Sequence, residues 1–157
     1  MRVRAILALA LVLAVALPAL PYDVVTSGHI FSEAEALGMY RSEALPARIS
    51  PPFWTPTVVE VSEAEKAILE YLKANQRYKN SRMTQMYDAY KHQYIGFTSQ
   101  GHRCIYVNAF TTDGYPRLGD SWQERLVSVL DGGELFFQVS VDYDQLRVLK
   151  VWVNGVA

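Results

Sequence analysis

The chain has 157 residues, a formal charge of −1, a 50% share of hydrophobic residues and a single cysteine. This length supports one domain with a core large enough to fold without disulfides or metals, and the composition excludes collagen-like, coiled-coil and wholly disordered chains. The near-neutral charge argues against a nucleic-acid-binding protein, which usually presents a basic face.

The first 19 residues are predicted to be a signal peptide. Arg2 and Arg4 precede an uninterrupted apolar run over 5–17, and a proline then follows among small residues. This layout is typical of a secretory signal, and the run is shorter than the ~20 residues that span a bilayer comfortably. We therefore expect cleavage after Ala16 or Ala19, and a periplasmic or secreted mature protein without a membrane span. Loss of the two arginines leaves 13 basic residues against 16 acidic ones, a formal charge of −3.

Residues 20–57 are predicted to form a proline-rich N-terminal arm with a short helix. Ser32-Glu33-Ala34-Glu35 has the spacing of a capping box, which marks the start of that helix. The segment 51–57 contains three prolines and is expected to be extended, because proline breaks helices. Phe53 and Trp54 should dock this segment on the rest of the protein, since exposing such aromatic rings to water is costly.

Residues 58–157 are predicted to form a single α+β domain that starts with one main amphipathic helix. Ser62-Glu63-Ala64-Glu65 is a second capping box, and a helix of about four turns should follow it. Apolar residues recur there at helical spacing, with charged residues on the other side: Ala64, Ala67, Ile68, Tyr71 and Leu72 against Glu63, Lys66, Glu70 and Lys73. Residues 83–92 keep helical spacing as well, and both a helix and a strand remain open there.

The rest of the chain predicts an antiparallel meander of four or five strands. Four strands are expected at 93–99, 102–110, 134–143 and 146–153, and the stretch 122–130 would be the fifth. Alternation in the segment 134–143 indicates a sheet with one dry face. Asp131-Gly132-Gly133 is interpreted as a turn rather than a phosphate-binding loop, because it enters a strand and not a helix. The helix and the sheet should pack as a two-layer α+β fold.

Five short motifs resemble a set of small exported bacterial proteins of unknown function. The likeness covers 53–157 and is carried by Phe53-Trp54-Thr55-Pro56-Thr57, Gln93-Tyr94-Ile95-Gly96, Ile105-Tyr106-Val107-Asn108-Ala109-Phe110, Asp131-Gly132-Gly133 and Val153-Asn154-Gly155-Val156-Ala157. The resemblance implies no activity, because that group has none assigned. The order of helix and meander is similar to the cystatin-like architecture, which carries no function by itself. A cystatin inhibitor would be expected to carry Gln-x-Val-x-Gly, and Gln138-Val139-Ser140-Val141-Asp142 lacks that glycine.

Candidate chemical groups are few. His102 and Cys104 share one face of a strand, but their parallel side chains suit proton transfer poorly, and His29 and His92 lack metal-ligand spacing. Four acidic residues near turns do not follow the order of a calcium loop and are better explained as turn formers: Asp113, Asp120, Asp142 and Asp144. We expect no catalytic residues, no cofactor, no metal and a buried Cys104.

Ten tyrosines and three tryptophans are the least ordinary feature of the composition. Tyr115 and Trp122, at the ends of a long loop, are the predicted exposed residues that contact a partner. The leading hypothesis is a non-enzymatic binding or accessory module with an unknown protein partner in the envelope or outside the cell. Two alternatives remain open: a secreted protease or hydrolase inhibitor of cystatin-like architecture, and a small enzyme or ligand carrier with a pocket between helix and sheet.

Overall fold

The computed structural model describes residues 27–112 and 119–155, without the side chains of 119 and 120. The predicted signal peptide and Tyr115 lie outside the described residues. The helices are α1 (Glu33–Arg41), α2 (Val58–Ala74) and α3 (Arg82–Gln85), and the strands are β1 (Gly28–Ile30), β2 (Phe53–Trp54), β3 (Lys91–Ser99), β4 (His102–Phe110), β5 (Phe136–Asp142) and β6 (Arg147–Val153). Short 3-10 turns cover Tyr87–Ala89, Gly119–Gln123 and Gly133–Leu135.

The strands form one sheet in the order β1-β3-β4-β5-β6, and β2 also pairs with β3. β3 to β6 make the expected antiparallel meander, but β1 runs parallel to β3. The sheet is therefore mixed and six-stranded, which corrects the prediction of a purely antiparallel sheet with four or five strands. The two extra strands have three and two residues, too few for alternation to mark them in a sequence.

The main helix, α2, packs on one face of this sheet, so the predicted two-layer α+β fold is confirmed. The helix begins earlier than the pattern indicated: Thr57 is its N-cap, and the Glu60 carboxylate accepts a hydrogen bond from the Thr57 amide at 2.8 Å. Nothing between Pro56 and Ser62 breaks a helix, so the helix begins at Val58, directly after its N-cap. Its fully buried apolar side chains meet the central strands: Val61, Ala64, Ile68 and Leu72.

The opposite face of the sheet is also covered, by α1 and the segments around it. Phe31, Ala36, Ile49 and Phe53 pack against residues of β3 and β4 there. As a result the central strands are buried on both faces, whereas the alternation in β5 had indicated one dry face. Ser140 and Asp142 of β5, which look solvent-facing in the sequence, are buried. The covering segments are short and distant in sequence, so the alternation along β5 could not reveal them.

The arm contains the predicted capped helix and the predicted docked aromatic residues, and it also contributes the strands β1 and β2 to the sheet. Ser32 caps α1, and its amide donates to the Glu35 carboxylate at 2.7 Å. Phe53 is 6% exposed, and the Trp54 indole donates to the carbonyl of Phe97 at 3.1 Å. Gly96 makes room for this docking, because a Cβ at that position would lie 2.5 Å from the Trp54 carbonyl oxygen.

Residues 122–130 do not form the fifth meander strand. After the 3-10 turn Gly119–Gln123 the segment has no regular secondary structure, and the Gln93 side chain binds its backbone groups. Its amide nitrogen donates to the carbonyls of Trp122 at 2.5 Å and Arg125 at 2.7 Å, and its oxygen accepts from the Val127 amide at 2.9 Å. Buried backbone groups need such partners, and one glutamine supplies three of them.

Residues 83–92, for which the sequence left both a helix and a strand open, contain both. α3 is followed by the 3-10 turn Tyr87–Ala89, and β3 then begins at Lys91.

Within the described part of the chain, no helix combines the length and apolar character that crossing a bilayer requires.

Candidate functional site

A cleft of about 320 Å³ opens on the sheet face opposite α2. One wall is the segment 43–48 after α1, and the other is the irregular segment 126–129. The floor consists of side chains from β4 and β5: Tyr106, Asn108, Phe136 and Gln138. The volume is at the lower end of the range for small-molecule sites, roughly 300 to 1,000 Å³, so the cleft suits a small molecule or a short stretch of chain.

Side-chain amides hold the floor and one wall of this cleft in place. The Asn108 amide nitrogen donates to the carbonyl of Val127 at 2.8 Å and to Gln93 at 2.8 Å. Gln138 donates to Asn154 at 3.1 Å, and Asn154 donates to the carbonyl of Val129 at 2.6 Å. A network whose members hold one another is rigid, so the polar floor is set before a ligand arrives.

Arg48 provides the positive charge of the cleft. Its guanidinium lies 4.0 Å from the centre of the Trp152 ring and 5.6 Å from that of Tyr106. Burial raises the pKa of Tyr106 to about 12, against the opposing effect of Arg48. Tyr106 is therefore a neutral phenol at physiological pH, and Lys150 adds a second cation 5.4 Å from the Trp152 ring.

Glu43, on the wall that carries Arg48, has an unusual backbone conformation. α1 ends in a Schellman motif, in which the Ala44 amide bonds to the Met39 carbonyl at 2.9 Å and the Glu43 amide to the Tyr40 carbonyl at 3.1 Å. The motif places Glu43 at φ +59°, a left-handed position that normally takes glycine. A non-glycine residue in this conformation destabilises the backbone, so the exposed carboxylate of Glu43 is present at the cleft despite local strain.

A second polar cluster lies inside the core, between α2 and the sheet. The Glu65 carboxylate is 3.0 Å from Nδ1 of His92 and also accepts a short hydrogen bond from the Tyr87 hydroxyl. All three residues are buried. Sequence reasoning missed the cluster because it assigned Glu65 to a helix cap. The available signal was its spacing, since Glu65 lies on the same helical stripe as Val61 and Ile68.

Of the two predicted partner-binding residues, the structure describes Trp122 alone. Trp122 is 5% exposed and packs edge-on against Phe110 at 6.0 Å, so the prediction that it is exposed is wrong. The physical reason is that the Gln93 side chain binds the carbonyls of Trp122 and Arg125, which holds this segment against the sheet. Tyr115, its proposed companion, lies outside the described residues.

The other candidate residues from the sequence are Cys104, His102 and the acidic residues near turns. Cys104 is buried as expected, and burial together with nearby Asp142 raises the pKa of its thiol, which opposes thiolate formation. The His102 imidazole lies 3.2 Å from Asp142, and Asp144 pairs with Arg103 at 3.1 Å. Asp113 and the side chain of Asp120 lie outside the described part. Among the side chains that are described, no three His, Cys, Asp or Glu residues group together as metal ligands.

A larger open groove of about 820 Å³ runs between α2 and the start of β6. Its rim carries charges of both signs on exposed side chains, such as Glu70 and Arg147, around Tyr71 and Leu146. The cleft at Arg48 differs in having buried polar groups in its floor and a guanidinium held by two aromatic rings. We therefore take the cleft as the candidate site.

Fold and cleft together define a small two-layer α+β protein with a preformed polar site on the sheet face opposite α2. Comparison with protein-family models, with curated proteins and with solved structures finds no match to this chain. The resemblances to small exported proteins and to the cystatin-like architecture therefore stay predictions.

Proposed function

We propose that this protein is a non-enzymatic binding module, exported to the envelope or the outside of the cell, which recognises its partner through the cleft at Arg48. The observation that carries the proposal is the preformed floor. Asn108 and Gln138 are fixed by hydrogen bonds, while Arg48 is exposed at the edge. Rigid polar groups beside an exposed cation favour binding, because little conformational entropy is lost when a ligand is held.

The surroundings of the reactive residues favour binding over catalysis. Glu65 and His92 are enclosed in the core, where a substrate has no access to them. The pKa of the Cys104 thiol is raised by burial, which is the opposite of what a nucleophilic cysteine needs. The contact of α2 with the central strands, where the carrier alternative requires a pocket, is filled by buried side chains, and the groove beside β6 is open and rimmed by exposed charges.

Site-specific photocrosslinking in the native host tests this function. A photoreactive benzoylphenylalanine would replace Ser128, which is exposed on the wall of the cleft, or Lys73, which is exposed on α2 at the other face of the sheet. We expect a defined crosslinked product from position 128 and none from position 73. Products of the same identity from both positions, or from position 73 alone, would overturn the assignment of the cleft.

A blocking variant gives an independent measurement. Replacing Ser128 by tryptophan adds an indole to the wall of the cleft without touching the buried floor. The melting temperature should stay the same, and partner capture by a crosslinker at Ala44, which is exposed on the opposite wall of the cleft, should fall. Unchanged capture with a folded variant would reject the cleft as the binding surface.

A further inference from the structure

We propose that the ligand group held in the cleft is a carboxylate, bound by the guanidinium of Arg48. This inference rests on the proposed binding function and adds the chemical class of the ligand. The class is a small polar molecule or a peptide end that carries one free carboxyl group.

The two contacts of Arg48 leave part of its guanidinium available. An arginine that stacks on an aromatic ring by its flat face keeps its N–H donors in the plane, pointing outward. Arg48 stacks on Trp152 at 4.0 Å and lies 5.6 Å from the centre of the Tyr106 ring. A guanidinium has five N–H donors, so a pair in its plane can bind the two oxygens of a carboxylate while the Trp152 ring orients that plane.

The charges around this position favour an anion. Arg48 and Lys150 both approach the Trp152 ring, at 4.0 and 5.4 Å, and Glu43 is the opposing charge among the described lining residues. The patch is thus positive on a chain whose formal charge is −1. Glu43 disfavours a second carboxylate and suits an N–H group of the ligand, while the carboxamides of the floor suit neutral polar groups.

The direct test compares a charged probe with its neutral amide analogue. N-acetylalanine carries a carboxylate, and N-acetylalanine methylamide replaces it by a neutral amide. In ¹H–¹⁵N spectra of the full-length protein, the acid should shift the side-chain signals of Arg48 and Asn108. It should bind about tenfold more tightly than the amide, the preference that one charge-assisted hydrogen bond supplies. Trialanine with a free or an amidated end then distinguishes a peptide end from a small acid.

Variants assign the preference to the guanidinium. Arg48→Gln should abolish it, and Arg48→Lys should keep only part of it, because an ammonium lacks the planar fork. Arg41→Gln removes an exposed cation from the end of α1 and should change nothing. Equal affinities for acid and amide, or a preference that survives Arg48→Gln in a folded protein, would overturn the inference.

The proposed function and this inference fail in different ways. A crosslink at position 128 without any preference for the acid keeps the binding function and rejects the carboxylate. A preference for the acid that vanishes in Arg48→Gln supports the carboxylate, whatever partner is crosslinked. Loss of both results rejects both.

Discussion

The carboxylate of Glu65 and the imidazole of His92 lie 3.0 Å apart inside the core and join the main helix to the first long strand. The Tyr87 hydroxyl donates to the same carboxylate, so the three side chains connect three separate elements. Buried polar groups of this kind are strongly coupled to stability, because removing one member takes a hydrogen bond from the others inside an apolar region.

We expect Glu65→Ala to lower the free energy of unfolding by about 3 to 5 kcal/mol, the usual range when one partner of a buried pair is removed. Urea denaturation followed by circular dichroism measures this value. Glu70→Ala is the matched control, since Glu70 is exposed on the same helix and should change stability by less than about 0.5 kcal/mol. Similar losses in the two variants would contradict a special role for Glu65.

Gln93 is expected to control the position of the segment 122–127. Gln93→Leu removes a side chain that holds two carbonyls and one amide of that segment, and each buried backbone group left without a partner costs about 1 to 3 kcal/mol. The variant should be less stable, and the Trp122 indole should become exposed. Tryptophan emission would shift to longer wavelength and be quenched more readily by acrylamide. Gln123→Leu, at an exposed position of the same segment, should leave both readouts unchanged.

Two glycine-to-alanine changes should have opposite signs. In Gly96→Ala the new Cβ would lie 2.5 Å from the Trp54 carbonyl oxygen and 2.8 Å from its ring, so we expect a loss of about 1 to 3 kcal/mol through overpacking. In Gly38→Ala the new Cβ meets no atom within 4 Å, and alanine is a better helix former than glycine by about 1 kcal/mol. Thermal melts of both variants measure the difference. A stabilised Gly96→Ala would show that the docking of Trp54 does not need this close approach.

Glu43→Gly should stabilise the protein by about 1 kcal/mol, because glycine takes the left-handed conformation at that position without strain. Glu43→Ala keeps the strain while it removes the carboxylate, so its stability should stay close to that of the wild type. Chemical denaturation of the pair separates the backbone effect from the side-chain effect. Equal stability of the glycine and alanine variants would contradict the strain at Glu43.

Arg103 should make stability depend on acid pH. Its amide and side chain bond to Asp144 and lower the pKa of that carboxyl. Burial raises the pKa of Glu60, but hydrogen bonds from Thr57 and Arg103 outweigh it, so this pKa also lies below its ordinary value. A carboxyl whose pKa is lower in the folded protein stabilises the fold above its unfolded pKa, and this contribution is lost as the pH falls through the folded pKa.

We therefore expect the melting temperature of wild type to exceed that of Arg103→Met at pH 7. The difference should shrink as the pH falls below about 4, where both carboxyls take up protons. Melts between pH 7 and pH 2.5 test this expectation. A difference that stays constant over that range would assign the effect of Arg103 to its packing between Trp54 and Tyr143 instead.

Local patterns in the sequence determined most of the framework. Ser32 and Glu35 marked the start of α1, because a capping box depends only on residues within one turn. The alternation in β5 identified the side chains that meet α2, such as Phe137 and Val139, since a strand places every second residue on one face. Each of these patterns lies within one helix or strand, so it can be interpreted without knowledge of the fold.

The tertiary structure decided which polar residues of those elements contact one another. Glu65 and His92 are 27 positions apart, and Gln93 holds carbonyls 29 and 32 positions further along. No local pattern connects residues at such separations. For the same reason the sequence did not show that residues 126–129, predicted to belong to a fifth strand, form a wall of the cleft. It also did not show that Trp122 is buried. The cleft itself exists because two segments distant in the chain, 43–48 and 126–129, lie over the same face of the sheet, a consequence of packing that neither segment encodes.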